Sequence, residues 1–551
     1  VMEKEADFPI DERHKIKGVD LSRKIADIEC TCRGEDEIAC KKILPTAVNT
    51  SRVITYNSCK RTLYAAFKRQ LKKVIPPDPD IAKELNLYMD KYFNLYIEDQ
   101  LRDFDYSFSQ WFNSMPRHKQ DSLLNYDIKK LEHNVYGMFC KREKQEYGGK
   151  NRAISNISQE TKFIMGPVIW FLEDIADKCF PGYCGQKNWN DLEKWLRVNY
   201  AKGFTKAIQG DGSAFDLSQQ YPNKYIDRKV YSYLADNNKI HHVDKTIFKN
   251  VATARYRKLD ATYFDKGRKC KLGSAIVDST VFSGSSDTTF GNTLRMAIYN
   301  MFTLEQAGLV YKQDYDLLCK GDDFLVVTSA NIDFKALYYK YWCKPIKSPH
   351  THDYTPFGIG VILKFLTVGD YDTIDFCSTV VIPDYVNCKF KIARKPERMD
   401  PLSHYSRAAL HFSQLELKQY YLDLATSLDV SIGQMPFYSS YADAYRHFAN
   451  SIPGIPARAK CGRPRLEEPD DGHKKRQNKS DYIRHQYAAN GRDFCEGLII
   501  RQSNTTIPDK LVYDFFLQKY RISEMDIQQH AKMLITGKYS QVYDVIAHKL
   551  Q

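Results

Sequence analysis

Apolar side chains recur at roughly helical spacing from Arg61 to Phe112 (Leu63, Phe67, Leu71; Leu85, Leu87, Met89, Tyr92, Leu95), which predicts amphipathic helices there. A glycine-containing basic stretch, Lys141 to Arg152, breaks the pattern, and helix returns at Gln159–Asp177. Between Lys206 and Ser378 the apolar runs shorten into strands alternating with helices and tight turns. Within that region Leu294, Ala297, Ile298, Met301 and Phe302 keep a helical period, with Gly308 as the closing cap, so these five are read as core. Asp400-Pro401 suits the start of a further helical region running through Leu415–Leu428, because Asp caps and Pro fits the first helical position. Residues Ala457–Lys479 read as a mobile basic loop, and Ser523–Leu550 returns to helix. The first sixty residues are polar, with charge runs at Lys15–Lys17 and Glu35–Glu37, and read as an extension wrapping the body.

Composition narrows the class. With 551 residues, 43% of them hydrophobic, the chain is too long for one ordinary core and too apolar to be disordered throughout. Its formal charge of +13 favours a polyanionic partner, although many proteins without one carry as much. The 14 cysteines lack paired Cys-x-x-Cys spacing; Cys30, Cys32, Cys40 and Cys59 read as free thiols before they read as a zinc module. No stretch approaches the ~20 apolar residues of a membrane helix, and the opening Val-Met-Glu-Lys-Glu has no signal-peptide core. A soluble intracellular protein is expected, and the initial Val is compatible with release from a polyprotein.

The candidate chemistry begins at Tyr315–Val327, where two apolar runs flank Lys320-Gly321-Asp322-Asp323. Gly and Asp supply what a tight hairpin needs, so two adjacent carboxylates would stand at its tip. Carboxylates ~4 Å apart repel by about 4 kcal/mol at an effective dielectric near 20, so such a cluster calls for a cation. Alone, this is most simply a solvated turn. Upstream, a strand-like run ends at Asp211, and Asp216 follows five residues later. Taken singly, Asp211 is as well explained as a strand-end residue, but one Asp from each of two neighbouring strands is a natural way to hold two hard cations. Between these segments, Phe282-Ser283-Gly284 leads through Thr288 to Asn292, which lie four apart on one helical face. Capping and surface roles explain either of them alone.

In order, Asp211-x4-Asp216, Ser283-Gly284-x3-Thr288-x3-Asn292 and Gly321-Asp322-Asp323 resemble motifs A, B and C of the RNA-dependent RNA polymerases of positive-strand RNA viruses, leaning toward the tombusvirus- and nodavirus-like branch. The resemblance implies an α+β right-hand fold of fingers, palm and thumb, with an antiparallel palm sheet flanked by helices. It implies two Mg²⁺ or Mn²⁺ ions held by Asp211 and Asp322 with help from Asp323. Asp216 and Asn292 would sense the ribose 2′-hydroxyl with Ser283 or Thr288, the group that separates RNA from DNA substrates. Phe139-Cys-Lys141-Arg142-Glu-Lys144 to Lys150-Asn-Arg152 resembles motif F, whose cations would neutralise the incoming triphosphate. Gly358–Lys364 resembles motif D, with Lys364 as the acid that protonates pyrophosphate, in competition with Lys344 and Lys347. Such a role is expected where neighbouring positive charge and burial lower a lysine's pKa. Phe376-Cys377-Ser378 resembles motif E. The likeness covers about half the chain, Phe139 to Arg398.

The resulting expectation is an N-terminal extension (1–60), fingers (61–204), a palm (205–395) with an insertion at about 221–279, and a thumb with the C-terminal region (396–551). Expected partners are template and nascent RNA, NTPs and other viral replication proteins, in the host cytoplasm. Two rivals stay open. A reverse transcriptase would share palm and metals but normally carries an aromatic-x-Asp-Asp turn. A basic, non-catalytic RNA-binding replication protein would not need the ordered motifs.

Overall fold

The computed structural model describes residues 9–28, 41–45, 53–55, 60–115, 117–124, 134–140, 144–146, 152–265, 268–345, 354–399, 404–406, 409, 412–432, 435–455 and 505–536. The chain is mixed α+β, and among the described residues the strands pair antiparallel save Val135–Cys140 with Tyr256–Asp265.

A four-stranded sheet lies at the centre, in the order Tyr315–Lys320, Asp323–Thr328, Lys206–Ser213, Ile362–Gly369. Side chains alternate across a strand, and here both faces find apolar cover. Ile208, Phe324 and Val326 join the core built around helix Thr288–Glu305. Ala207, Leu325 and Val327 face a second core, shared with helix Trp189–Ala201 and a three-stranded sheet of Asp375–Phe376, Thr379–Asp384 and Lys389–Arg394. Gly210 is required where the sheet meets Phe324, because a Cβ there would come within 2.8 Å of its ring.

Helix Thr288–Glu305 is enclosed on every side from Phe290 to Leu304. The five positions read as core are all buried. Gly308 (φ +79°) follows the end of the helix and donates its N–H to Glu305.

A five-stranded sheet runs in the order Lys15–Lys17, Arg268–Asp278, Tyr256–Asp265, Val135–Cys140, Ala153–Ile157. The segment between Tyr221 and Ser279 thus leaves the central sheet, forms helices Tyr225–Asp236 and Lys245–Ala252, and sends its hairpin to strands from earlier in the chain. Helices Gln414–Ser431, Tyr438–Ser451, Asp509–Tyr520 and Glu524–Thr536 build a separate core, into which Ile43 and Leu44 are also buried. Lys41–Lys42 pairs with Tyr405–Ser406, so the N-terminal segment does reach across the body.

Several expectations need correction. Leu87 and Leu95, grouped with the apolar stripe, are 63% and 60% exposed, because Leu85, Met89 and Tyr92 set the inward face of helix Pro79–Tyr92 and Phe93 and Ile97 that of the helical turn after it. The charge run Lys15–Lys17 is an edge strand on Arg268–Asp278. The helical region after residue 400 is capped by Ser413, with Glu416 completing the reciprocal pair, while Asp400 and Pro401 lie outside the described residues. Also outside them are Cys30, Cys32, Cys40, Cys59 and the 457–479 stretch. Among the described residues, no helix is long and apolar enough to cross a membrane.

Candidate active site

The Lys320–Asp323 segment closes a two-residue hairpin, Gly321 taking φ +63°. Its backbone N–H donates to Thr293 Oγ1 at 2.9 Å, which ties the turn to helix Thr288–Glu305. Register then brings the distant carboxylates together. Asp323 is the direct cross-strand partner of Asp211, and Gly212 N donates to the Asp322 carbonyl at 3.1 Å. Burial, then Asp322 and Asp211, push the Asp323 carboxyl up to about 7. Burial and Asp211 raise that of Asp322 to about 6, although the residue as a whole stays exposed at the turn, where water screens part of the repulsion. Three acids crowded in this way resist holding three negative charges.

On the other side of Asp211, strand Ile362–Gly369 carries a bulge between Leu363 and Phe365, and Lys364 is the extra residue. Its Nζ donates to Asp211 Oδ2 at 2.8 Å. Bonding to Asp211 raises the Lys364 pKa, the reverse of the lowering expected, because the ammonium faces three acids instead of other cations. Lys344 instead lies near the Tyr339 ring, and Lys347 is outside the described residues.

Asp211 Oδ1 is buried without a hydrogen-bond partner, an oxygen suited to a cation. Yet among the described residues no three or more His, Cys, Asp or Glu side chains form a ready cage for a metal ion, so the trio Asp211, Asp322 and Asp323 is not preformed as one. A hard cation such as Mg²⁺ commonly takes only one or two protein carboxylates and completes its shell with phosphate and water. The donor set fits a site finished by a phosphate-bearing substrate.

Asp216 sits just beyond the turn at Ala214, a non-glycine residue in left-handed backbone (φ +50°). Asn292 Nδ2 donates to Asp216 Oδ1 at 2.6 Å, so the two residues proposed to read the sugar do meet. Burial raises the Asp216 pKa, opposed by Asn292, Arg295 and Arg152. Arg152 is therefore close enough to act on this group. Lys144 opens a short strand, Lys144–Glu146, paired to Val53–Thr55; Lys141, Arg142 and Lys150 fall outside the described residues. Thr288 does not turn toward Asp216: its hydroxyl donates to the Phe282 and Ser285 carbonyls at 2.9 and 3.0 Å, holding the loop before the helix. Ser283 is exposed on that loop, and its carbonyl accepts from Ser155 N at 2.8 Å. Gly284 (φ +107°) has no room for a side chain, since a Cβ would stand 2.8 Å from the Ser155 carbonyl.

Arg295 joins the site although no motif singles it out. Arg295 donates to Asn292 Oδ1 at 2.6 Å and to Asp227, and both ions of this pair are almost wholly buried. It therefore orients the Asn292 amide. A guanidinium in the middle of an apolar helix was the available signal. Cys377, already named in the Phe376-Cys377-Ser378 segment, stands with Ser378 in left-handed backbone between two short strands, and its thiol lies beside Asp323.

Comparisons with known proteins add nothing to this picture: no protein-family model matches the chain, and no curated protein matches it significantly.

Proposed function

We propose that the chain is an RNA-dependent RNA polymerase with fingers, palm and thumb, adding NTPs to a growing RNA by two-metal phosphoryl transfer during viral genome replication and transcription. The observation that carries this reading is the register pairing Asp323 with Asp211, acids 112 positions apart that share one face of the central sheet. In this reading that sheet is the palm, the five-stranded sheet belongs to the fingers, and the helices after residue 413 are the thumb. Template and nascent RNA, NTPs and other viral replication proteins in the host cytoplasm are the partners it implies.

Bound Mg²⁺ or Mn²⁺ would activate the primer 3′-hydroxyl and steady the charge leaving as pyrophosphate. Asp211 and Asp322 would hold the ions, with Asp323 assisting. Asp216 and Asn292 would meet the ribose 2′-hydroxyl, and Arg152 would add positive charge beside the phosphates. Lys364, protonated and leaning on Asp211, would hand its proton to the leaving pyrophosphate once metal takes its place. Positioning and electrostatics carry such transfers, and this is what the side chains offer.

The direct test is purified chain with a defined RNA template, NTPs and Mg²⁺ or Mn²⁺, with and without primer. Template-dependent RNA synthesis is expected. Preferential use of deoxyribonucleotides would favour a reverse transcriptase instead, and RNA binding without synthesis would favour the non-catalytic reading. Substitutions at two positions probe the roles. Lys364→Ala should slow nucleotide addition by about 10²-fold or more, with partial recovery in Lys364→Arg; an unchanged single-turnover rate would remove Lys364 from the chemistry. Asn292→Ala should cut the preference for ribo- over deoxyribonucleotides by roughly ten- to a hundredfold, as expected for one lost hydrogen bond in a desolvated site. Equal discrimination in variant and wild type would unseat the Asp216–Asn292 assignment.

A further inference from the structure

The loop Phe282–Asp287 carries Ser283 and leads into the helix that bears Asn292, so its placement decides where the sugar would be read. Ser155 N holds it through the Ser283 carbonyl, and Tyr136 OH meets Ser285 Oγ at 3.3 Å. Ser285 Oγ in turn donates to Asp287 Oδ1 at 2.5 Å. Asp287 is the residue before the helix, yet its carboxylate caps no helix N–H. It points inward, buried, toward Arg257.

Arg257 lies on strand Tyr256–Asp265 and is 4% exposed. Its Nη2 stands 3.8 Å from Asp287 Oδ2, an ion pair without a direct hydrogen bond. Its guanidinium also lies 5.7 Å from the Tyr136 ring centroid. Its Nε and Nη1 have no hydrogen-bond partner, nor has Asn134 Oδ1. Asn134, Tyr136, Arg257, Ser285 and Asp287 line one small polar cavity beneath the loop. Lys224, buried at the start of helix Tyr225–Asp236, also acts on Asp287, although burial and then Arg257 hold its own pKa well below the ordinary lysine value. Burying this guanidinium–carboxylate pair costs desolvation that apolar side chains would not incur. A core built only for stability would put an apolar side chain there, so the charge calls for another explanation.

We propose that Arg257 is a positioning residue for ribose recognition: through Asp287 and Ser285 it fixes the Phe282–Asp287 loop on the five-stranded sheet. It thereby sets where Ser283 and Asn292 meet the incoming nucleotide. This rests on the polymerase reading. The strand bearing Arg257 comes from the Tyr221–Ser279 segment, which gives that segment a part in substrate choice at a distance from Asp211, Asp322 and Asp323 along the chain.

The test compares wild type, Arg257→Lys, Arg257→Met, Asp287→Asn and a control, Leu259→Ala, which damages the core on the same strand. For each, kcat and KM are measured with a ribonucleoside triphosphate and its 2′-deoxy counterpart, alongside Tm and RNA affinity. Both Arg257 variants should raise the ribonucleotide KM and cut ribose preference by about tenfold to a hundredfold, the scale of a small displacement of positioned groups. RNA affinity should hold, Asp287→Asn should act in the same direction, and Arg257→Met/Asp287→Asn should be no worse than the more severe single variant. Should Arg257→Met fail to fold, Arg257→Lys, which keeps the charge and most of the stem, decides. Ribose preference unchanged in a folded Arg257 variant, or lowered equally in Leu259→Ala, would overturn the inference and leave the polymerase reading standing. A wild type that makes no RNA would overturn both.

Discussion

Asp322→Ala is expected to abolish metal-dependent RNA synthesis, by about 10³-fold or more, while leaving RNA affinity nearly unchanged. Asp322 stands at the tip of the hairpin beside Asp211, where a cation can be shared, and the contact its backbone makes, accepting from Gly212 N, survives in alanine. The turn would survive, since Gly321 supplies its backbone conformation and Thr293 its anchor. Asp211→Ala should be as severe, and the double variant little worse than either, because on the proposed reading two ligands of one site would fail together. Synthesis persisting in Asp322→Ala would show that the chemistry lies elsewhere.

The second large effect concerns pH and metal together. Asp322 and Asp323 are raised to about 6 and about 7 by burial and by their acidic neighbours. Between the ordinary carboxylate range and these values, the folded protein binds more protons than the unfolded chain. Without metal, stability should therefore fall as pH rises through that window. Divalent ions bind only the deprotonated form, so their apparent affinity should rise over the same interval. Mg²⁺ should raise Tm by several degrees at about pH 8 and by much less at about pH 5.5. Asp323→Asn should raise the metal-free Tm at the higher pH by removing one repelling charge. A Mg²⁺-induced shift that ignores pH would mean that these acids are not the ligands.

What could be read in the sequence was local. The Lys320–Asp323 hairpin and the core face of helix Thr288–Glu305 were legible because turn chemistry and a period of 3.6 residues act over a few neighbours. That Asp211 meets Asp323, and Asp216 meets Asn292, followed from resemblance, since spacing alone left each with an ordinary structural explanation. The direction of the Lys364 shift is not legible in the sequence, because its surroundings depend on a bulge whose place is fixed by neighbouring strands. Asp227 and Arg295 passed unnoticed for a similar reason: a charge on a helix is usually solvated, and only tertiary packing buries this pair. Leu87 and Leu95 show the converse, apolar residues that the assembled body leaves outside.

The stitching of Lys41–Lys42 to Tyr405–Ser406 bears on how the molecule is made. At a synthesis rate of about 5–20 residues per second, that early strand waits tens of seconds for its partner to emerge. Until then Ile43 and Leu44 have no helical core to enter, and the greasy interior meant for them is still untranslated. The Lys41–Leu44 segment is therefore fastened late, after Lys15–Lys17 already has its partner strand.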